Sequence, residues 1–545
     1  MRKIFLVLGF ILAATNLFAQ SEKGLDRPKL VVGIVVDQMR YDYLIRFYDK
    51  YGDDGFKRLM REGFNCENSN FNYIPTVTAV GHASIYTGTT GKTHGIIAND
   101  WYDKFQKQSI YCVDDFNYAA VGTTAAGEQK SPHRLMTTTL TDQLRLSQNM
   151  KGKTISISIK DRGAVLPGGH TSNGSYWFRG QDDGKFISST YYMETLPSWV
   201  DKFNRSGLVD AYMSQKWETL YPIKDYTESI EDDNIYEDPF QGELKPVFPH
   251  DLPALKDLNG GYDLIKSTPF GNSMIAAFAK AAVEGEKLGT GKYTDFLALS
   301  FSSPDYIGHR FGVDSKEVQD NYLRLDKDIA DLLSYLDEKI GKGQYTLFLT
   351  ADHAALEVPA YLKSIKLPAA NFDRMDFDNR VKQYCAKEWG SVELIENISN
   401  NQIFLNHDKL KELNLNKEEV TGELVELLIN MKGIHKAVSA STLEKSEFNR
   451  GLLYRLQNGY NQKLSGDVLW IPEPAVNGSF DKGSSHGSGY SYDTHIPVIF
   501  FGKGINAGST REKVEIIDIA PTISSLLKIT PPNGSDGRII ESALK

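Results

Sequence analysis

The sequence predicts an α/β fold built on a largely parallel sheet, and three observations carry that expectation. Short runs rich in β-branched and aromatic residues recur near 30–36, 154–159, 295–301, 345–350 and 496–501, each bounded by turn residues. Stretches of helical period lie between them, and alternation of strand and helix is the signature of parallel strands joined by crossovers. Three of the runs also end in the same chemistry: Asp37 after the first, Asp305 and His309 after 295–301, and Asp352-His353 after 345–350. In sheets of this kind, sites gather at the carboxyl ends of the strands.

The chain opens with Arg2-Lys3, a short apolar run from Ile4 to Ala14, and a small residue, Ala19, before Gln20. A basic start, a short apolar segment and a small-residue exit predict a secretory signal peptide over 1–19. The run is shorter than the roughly 20 apolar residues a membrane span needs. No cysteine follows it closely, so no lipid attachment is expected, and no later segment is apolar enough to span. The expected product is an exported catalytic domain over 20–545, periplasmic or secreted.

Further along, Thr78 stands where a loop runs into a helix, so its hydroxyl would meet free backbone N–H groups and the positive end of the helix dipole. Gly88 to Thr93 is no P-loop, because Tyr86 occupies the position of the required first glycine. The strand at 154–159 is followed by Lys160-Asp-Arg162; continued strand alternation would put both cations on one side. A long helix follows Asp314, with Val318, Tyr322, Leu325, Ile329, Leu332, Leu336 and Ile340 at helical spacing, a capping box from Asp314 to Glu317, and a stop at Gly341. Two stretches break the alternation, about 171–285 and about 360–475, the second with its own helix from Lys417 to Met431. Both are expected to be insertions capping the sheet edge. Gly478 to Tyr490 is a Gly/Ser-rich loop with His486 in its middle, suited to bringing a ligand histidine to the site from afar.

Composition sets limits. With 545 residues, 41% of them hydrophobic, the chain can bury a large core. Its net charge of -9 argues against a nucleic-acid scaffold, which needs a basic face. An anionic substrate remains open, since metals and a few local cations dominate a small site. Cys66, Cys112 and Cys385 are too few and odd in number for a disulfide scaffold; a Cys66–Cys112 bond stays open. Aspartate and imidazole together suit Zn²⁺. The other histidines have no comparable partners, although His82, four residues from Thr78, is placed to support the site from behind.

The ordered set Asp37, Thr78 in a P-T-x-T context, Asp305-x-x-x-His309, Asp352-His353 and His486 resembles the alkaline phosphatase superfamily, as does the ending Val514 to Thr522. Asn99 in Gly95–Trp101 and Lys160-Asp-Arg162 narrow the resemblance to the PafA-type, phosphate-irrepressible alkaline phosphatases of flavobacteria. The resemblance covers nearly the whole mature chain. It implies a three-layer alkaline-phosphatase-like fold with capping insertions, and two Zn²⁺ ions. One would be held by Asp305, His309 and His486, the other by Asp37, Asp352 and His353 with the Thr78 oxygen. Thr78 would be the nucleophile and carry a phosphothreonine, while Asn99, Lys160 and Arg162 bind phosphate. The implied substrates are small-molecule phosphate monoesters, with phosphate as product and a monomeric enzyme. Two cations favour a monoester dianion over a diester. The competing readings are a phosphodiesterase or nucleotide pyrophosphatase on the same scaffold, a sulfatase (disfavoured because no cysteine stands at position 78), and a zinc-dependent phosphate-binding protein without turnover.

Overall fold

The computed structural model describes residues 26–181, 184–478 and 481–545. The expected signal peptide, 1–19, lies outside them. The core is a ten-stranded sheet. In chain order its strands are β1 (Leu30–Val36), β2 (Phe64–Cys66), β3 (Ala120–Val121), β4 (Thr154–Ser158), β5 (Gly174–Arg179), β6 (Lys185–Ser189), β7 (Asp295–Phe301), β8 (Tyr345–Thr350), β9 (Val498–Gly502) and β10 (Gly508–Thr510). In space the order is β10-β2-β9-β8-β1-β7-β4-β5-β6-β3.

The central strands β8, β1, β7, β4 and β5 are mutually parallel. All residues of β1, β7 and β8 are buried. That is why they read as unbroken apolar runs: both faces of a parallel strand are covered. The run expected at 496–501 forms β9, which is antiparallel to β8 and to β2, so the sheet is mixed at that side.

Six helices frame the sheet and the site: α1 (Thr78–Thr87), α2 (Asp161–Gly168), α3 (Phe270–Glu286), α4 (Ser303–Phe311), α5 (Lys316–Leu336) and α6 (Ile519–Leu527). α3 packs on α5 and β7; α2 packs on β4, β5 and α1; and α1 packs on α6. Phe296, Phe348 and Tyr86 pack edge to face, joining α1 to the sheet centre. The α5 helix begins differently from expectation. Ser315, not Asp314, accepts the Val318 N–H and caps it, while Asp314 pairs with Arg46 at 2.9 Å. Serine fits the cap because its short hydroxyl reaches the N3 amide from an extended backbone.

The stretch 171–285 contributes β5, β6 and α3 to the core as well as the irregular segment between them. The stretch 360–475 builds a separate four-stranded antiparallel sheet (Ile395–Ser399, Gln402–Leu405, Val468–Pro472, Ile434–Ser439 in spatial order) with its own apolar core around Trp470, Val381 and Leu424. Its helix runs Lys417–Ile429. All three cysteines are free and buried, so Cys66 and Cys112 form no bond.

Candidate active site

The in-register carboxyl ends of the parallel strands deliver the site. Val36 pairs with Phe301 and Val35 with Thr350, so the residues beyond them emerge side by side. Asp37 lies directly past β1, anchored by its N–H to the Phe301 carbonyl at 3.0 Å. Asp352 and His353 follow β8, and Asp305 and His309 lie one turn apart on α4. Two nests result, each with donor atoms all within 4.8 Å of one another: Asp37, Asp352 and His353 in one, Asp305, His353 and His486 in the other. His353 sits between them, its ring stacked on His486 with centroids 3.5 Å apart. His309 joins the second nest through Asp305, its Nε2 3.1 Å from Oδ1, and is the exposed member at the mouth.

The histidines are oriented alike. Nδ1 of His309 donates to the Ser484 carbonyl (2.8 Å), of His353 to the Ala354 carbonyl (3.1 Å) and of His486 to the Thr76 carbonyl (2.8 Å). A proton fixed on Nδ1 leaves the Nε2 lone pair of each ring for a metal. His353 Nε2 and Asp352 Oδ2 are buried without a hydrogen bond. Burial pushes the Asp352 carboxyl up to about 7, and burial with the neighbouring Asp352 charge pushes Asp37 well above the usual range. Burial also lowers His486 to about 3, so its ring is neutral. Buried carboxylates facing lone pairs require positive charge. The Lys160 ammonium supplies some, bridging a carboxylate of each nest at 2.6 Å to Asp37 and 2.6 Å to Asp305. Unsatisfied carboxylate oxygens, neutral imidazoles and a cation-seeking centre fit divalent metals with mixed oxygen and nitrogen ligation.

Thr78 is the first residue of α1 and buried. Its Oγ1 lies 3.3 Å from Lys160 Nζ. Gly81 brings α1 against the Asp352 backbone so closely that a Cβ there would collide with the Asp352 carbonyl. Asn99 Oδ1 accepts the Ala79 N–H at 2.9 Å, which fixes which end of the amide remains to donate. Lys160 and Arg162 come to the site by a different route from strand alternation, because the backbone turns into α2 at Asp161. Lys160 enters the carboxylates, and Arg162 donates to the Tyr111 hydroxyl at 2.9 Å, which in turn donates to Asp161 at 2.6 Å.

Two supports were not singled out from sequence. Gln38 adopts a left-handed backbone (φ 64°) and ties the nests together, its N–H on Asp352 (3.2 Å) and its amide on Asp305 (2.8 Å). A polar residue directly behind a strand-ending Asp was the available signal. Tyr111, the clamp on Arg162, carried none. His82 does stand behind the site, between the Thr78 carbonyl and the Ser300 hydroxyl at 2.9 Å each, with burial lowering it to about 4.

Residues 31–489 match the family model for type I phosphodiesterase / nucleotide pyrophosphatase. The chain is 45% identical over 524 residues (95% of this chain, 93% of the other) to alkaline phosphatase PhoV of Synechococcus elongatus. It is 41% identical over 542 residues (99% and 98%) to alkaline phosphatase PafA of Elizabethkingia meningoseptica. A crystal structure of wild-type PafA superimposes with a TM-score of 0.93 at 40% identity, covering 96% of this chain and 100% of that one. A Myroides odoratus protein named a calcium-transporting ATPase is 47% identical over 529 residues, 96% of each chain. No described helix here is long and apolar enough to cross a membrane. A shared fold, near-complete coverage and this identity settle the family: the chain belongs to the type I phosphodiesterase / nucleotide pyrophosphatase family and, within it, to the alkaline phosphatases of the PafA and PhoV kind.

Proposed function

We propose that this chain hydrolyses small-molecule phosphate monoesters through a phosphothreonine at Thr78, with two Zn²⁺ ions as its cofactors. The observation that carries the reading is the meeting of the Thr78 hydroxyl, the Lys160 ammonium 3.3 Å away and two Asp/His nests at one sheet edge. Asp37, Asp352 and His353, with the Thr78 oxygen, would hold one ion; Asp305, His309 and His486 would hold the other. Such a pair supplies a lowered pKa for the nucleophilic hydroxyl and charge stabilisation for the departing oxygen.

The chain's own groups account for the rest. Thr78 Oγ1 attacks phosphorus as the ester P–O bond breaks, and the alcohol leaves on the opposite side. Water then attacks the phosphothreonine, the P–Oγ1 bond breaks, and phosphate departs with Thr78 restored. The N-terminus of α1 and the free end of the Asn99 amide point donors at the transferred group. Lys160 and Arg162 meet the dianion's non-bridging oxygens, the first as a point charge and the second as a fork pre-aimed by Tyr111. A diester carries one charge fewer and gains less from this pair. Acid quench of the enzyme with ³²P-labelled substrate tests the reading: label bound covalently to the peptide bearing Thr78 supports it, and turnover with no labelled protein contradicts it. The same reading carries export to the periplasm or medium and action as a monomer.

A further inference from the structure

A cavity of about 460 Å³ opens between the 360–475 unit and the reactive centre, with His486 and Val77 at its inner end. We propose that it is the subsite for the leaving alcohol and that it takes uncharged, flat, hydroxyl-bearing groups of nucleoside size; this rests on the phosphomonoesterase reading. Placement comes first. Val77 adjoins Thr78 and His486 belongs to the second nest, so the cavity borders both; in-line displacement would carry the alcohol away from Thr78. The cavity that begins at His486 is the space it enters, and its size is that of a small-molecule site.

The walls set the chemistry. Leu356, Val476 and Tyr492 supply apolar surface. The one arginine among the described wall residues is already charge-paired: Arg374 Nε donates to Asp378 at 2.6 Å, one of its terminal nitrogens bonds the Ile398 carbonyl, and the guanidinium lies over the Trp470 ring. No unpaired cation therefore lies among the described wall residues for a second phosphate, which disfavours bisphosphates and nucleoside di- and triphosphates relative to monophosphates. Two polar groups are unspent. Asp493 Oδ1 is buried with no hydrogen-bond partner, an acceptor suited to a sugar hydroxyl. Asn401 makes no side-chain hydrogen bond among the described residues and offers an amide to a base edge. Asn400 and Asn401 form the left-handed tip (φ 50° and 56°) of the hairpin joining Ile395–Ser399 to Gln402–Leu405. The tip is pinned across the cleft by Asn400 Nδ2 donating to the Asp100 carbonyl at 2.7 Å, one residue from Asn99.

The test compares kcat/KM for adenosine 5′-monophosphate and ethyl phosphate, both esters of aliphatic alcohols, on zinc-loaded protein. The unaltered chain is expected to favour the nucleotide by about tenfold or more. Val476→Trp fills the cavity and Asn401→Gly removes the amide while keeping the backbone conformation; each is expected to cut that preference, the former by about tenfold. An unchanged inhibition constant for inorganic phosphate shows that a variant's reactive centre is intact. If Val476→Trp does not fold, Asn401→Gly decides alone. A preference near one in the unaltered chain, or one that no folded variant moves, overturns the subsite while leaving monoester hydrolysis standing. Turnover of neither ester overturns the phosphomonoesterase reading and the subsite with it.

Discussion

His486 Nδ1 donates to the carbonyl of Thr76 across 2.8 Å, although 410 residues separate them. The bond sets the ring's tautomer and ties the Gly/Ser loop to the turn that presents Thr78. The Thr76 hydroxyl returns the contact on the Ser488 carbonyl at 2.8 Å, and Asp493 Oδ2 accepts the Ser488 N–H at 2.7 Å. The most distant of the proposed ligands in sequence is thus held by the segment that carries the proposed nucleophile.

Thr78→Ala is expected to lower kcat by about three orders of magnitude or more, because it removes the group proposed to accept phosphorus. Phosphate binding, read by calorimetry, should persist. A variant that retains turnover would place the nucleophile elsewhere, and equal turnover with no phosphoenzyme would point to direct attack by water.

Removal of metal should abolish activity and lower the melting temperature together, since buried Asp37, Asp352 and Asp305 lose their compensating charge. Elemental analysis of the active protein is expected to give two zinc ions per chain, and zinc return should restore both readouts. Activity that survives complete chelation would contradict the assignment of the two nests.

Lys160→Ala and Arg162→Ala should each reduce monoester kcat/KM by about 10²-fold or more and diester kcat/KM by less. Tyr111→Phe, which removes the hydroxyl between Arg162 and Asp161, should reproduce part of the Arg162 effect, mainly in KM. Equal losses for both substrate classes would show that the cations do not read the second charge.

His250 is fully buried among aromatic rings, Phe311 at the end of α4 among them. Burial alone would lower it, but Glu243 at 2.8 Å and Glu317 at 3.3 Å outweigh burial and hold it up at about 9. A raised folded-state value stabilises the fold fully below the unfolded value near 6.5, and that contribution is lost as pH rises through 9. The difference in unfolding free energy between the unaltered chain and His250→Gln should therefore shrink by about 3 kcal/mol between pH 6 and pH 10. Urea titrations at several pH values measure it, and a difference independent of pH would mean that folding leaves the His250 titration unshifted.

The parts of the molecule legible in the sequence are the local ones. β1, β7 and β8 announced themselves because strands buried on both faces are continuous apolar runs, and the Asp37, Asp305 and Asp352-His353 endings named the site edge. The antiparallel direction of β9 was not legible, since a buried strand reads the same in either direction. Nor was the path of Lys160 and Arg162: a pattern of two suggested one strand face, whereas the chain turns into α2 at Asp161 and both side chains leave from the start of that helix. Gln38 and Tyr111 act through contacts with residues hundreds or tens of positions away, and no local period encodes such contacts.

The most direct test of the central claim is kcat/KM for p-nitrophenyl phosphate against bis-p-nitrophenyl phosphate on one zinc-loaded preparation, repeated after chelation and zinc return. The account predicts that the monoester leads by orders of magnitude and that its rate falls and recovers with zinc. A diester that leads instead would mean that Lys160 and Arg162 are misassigned and that this metal centre serves a phosphodiesterase.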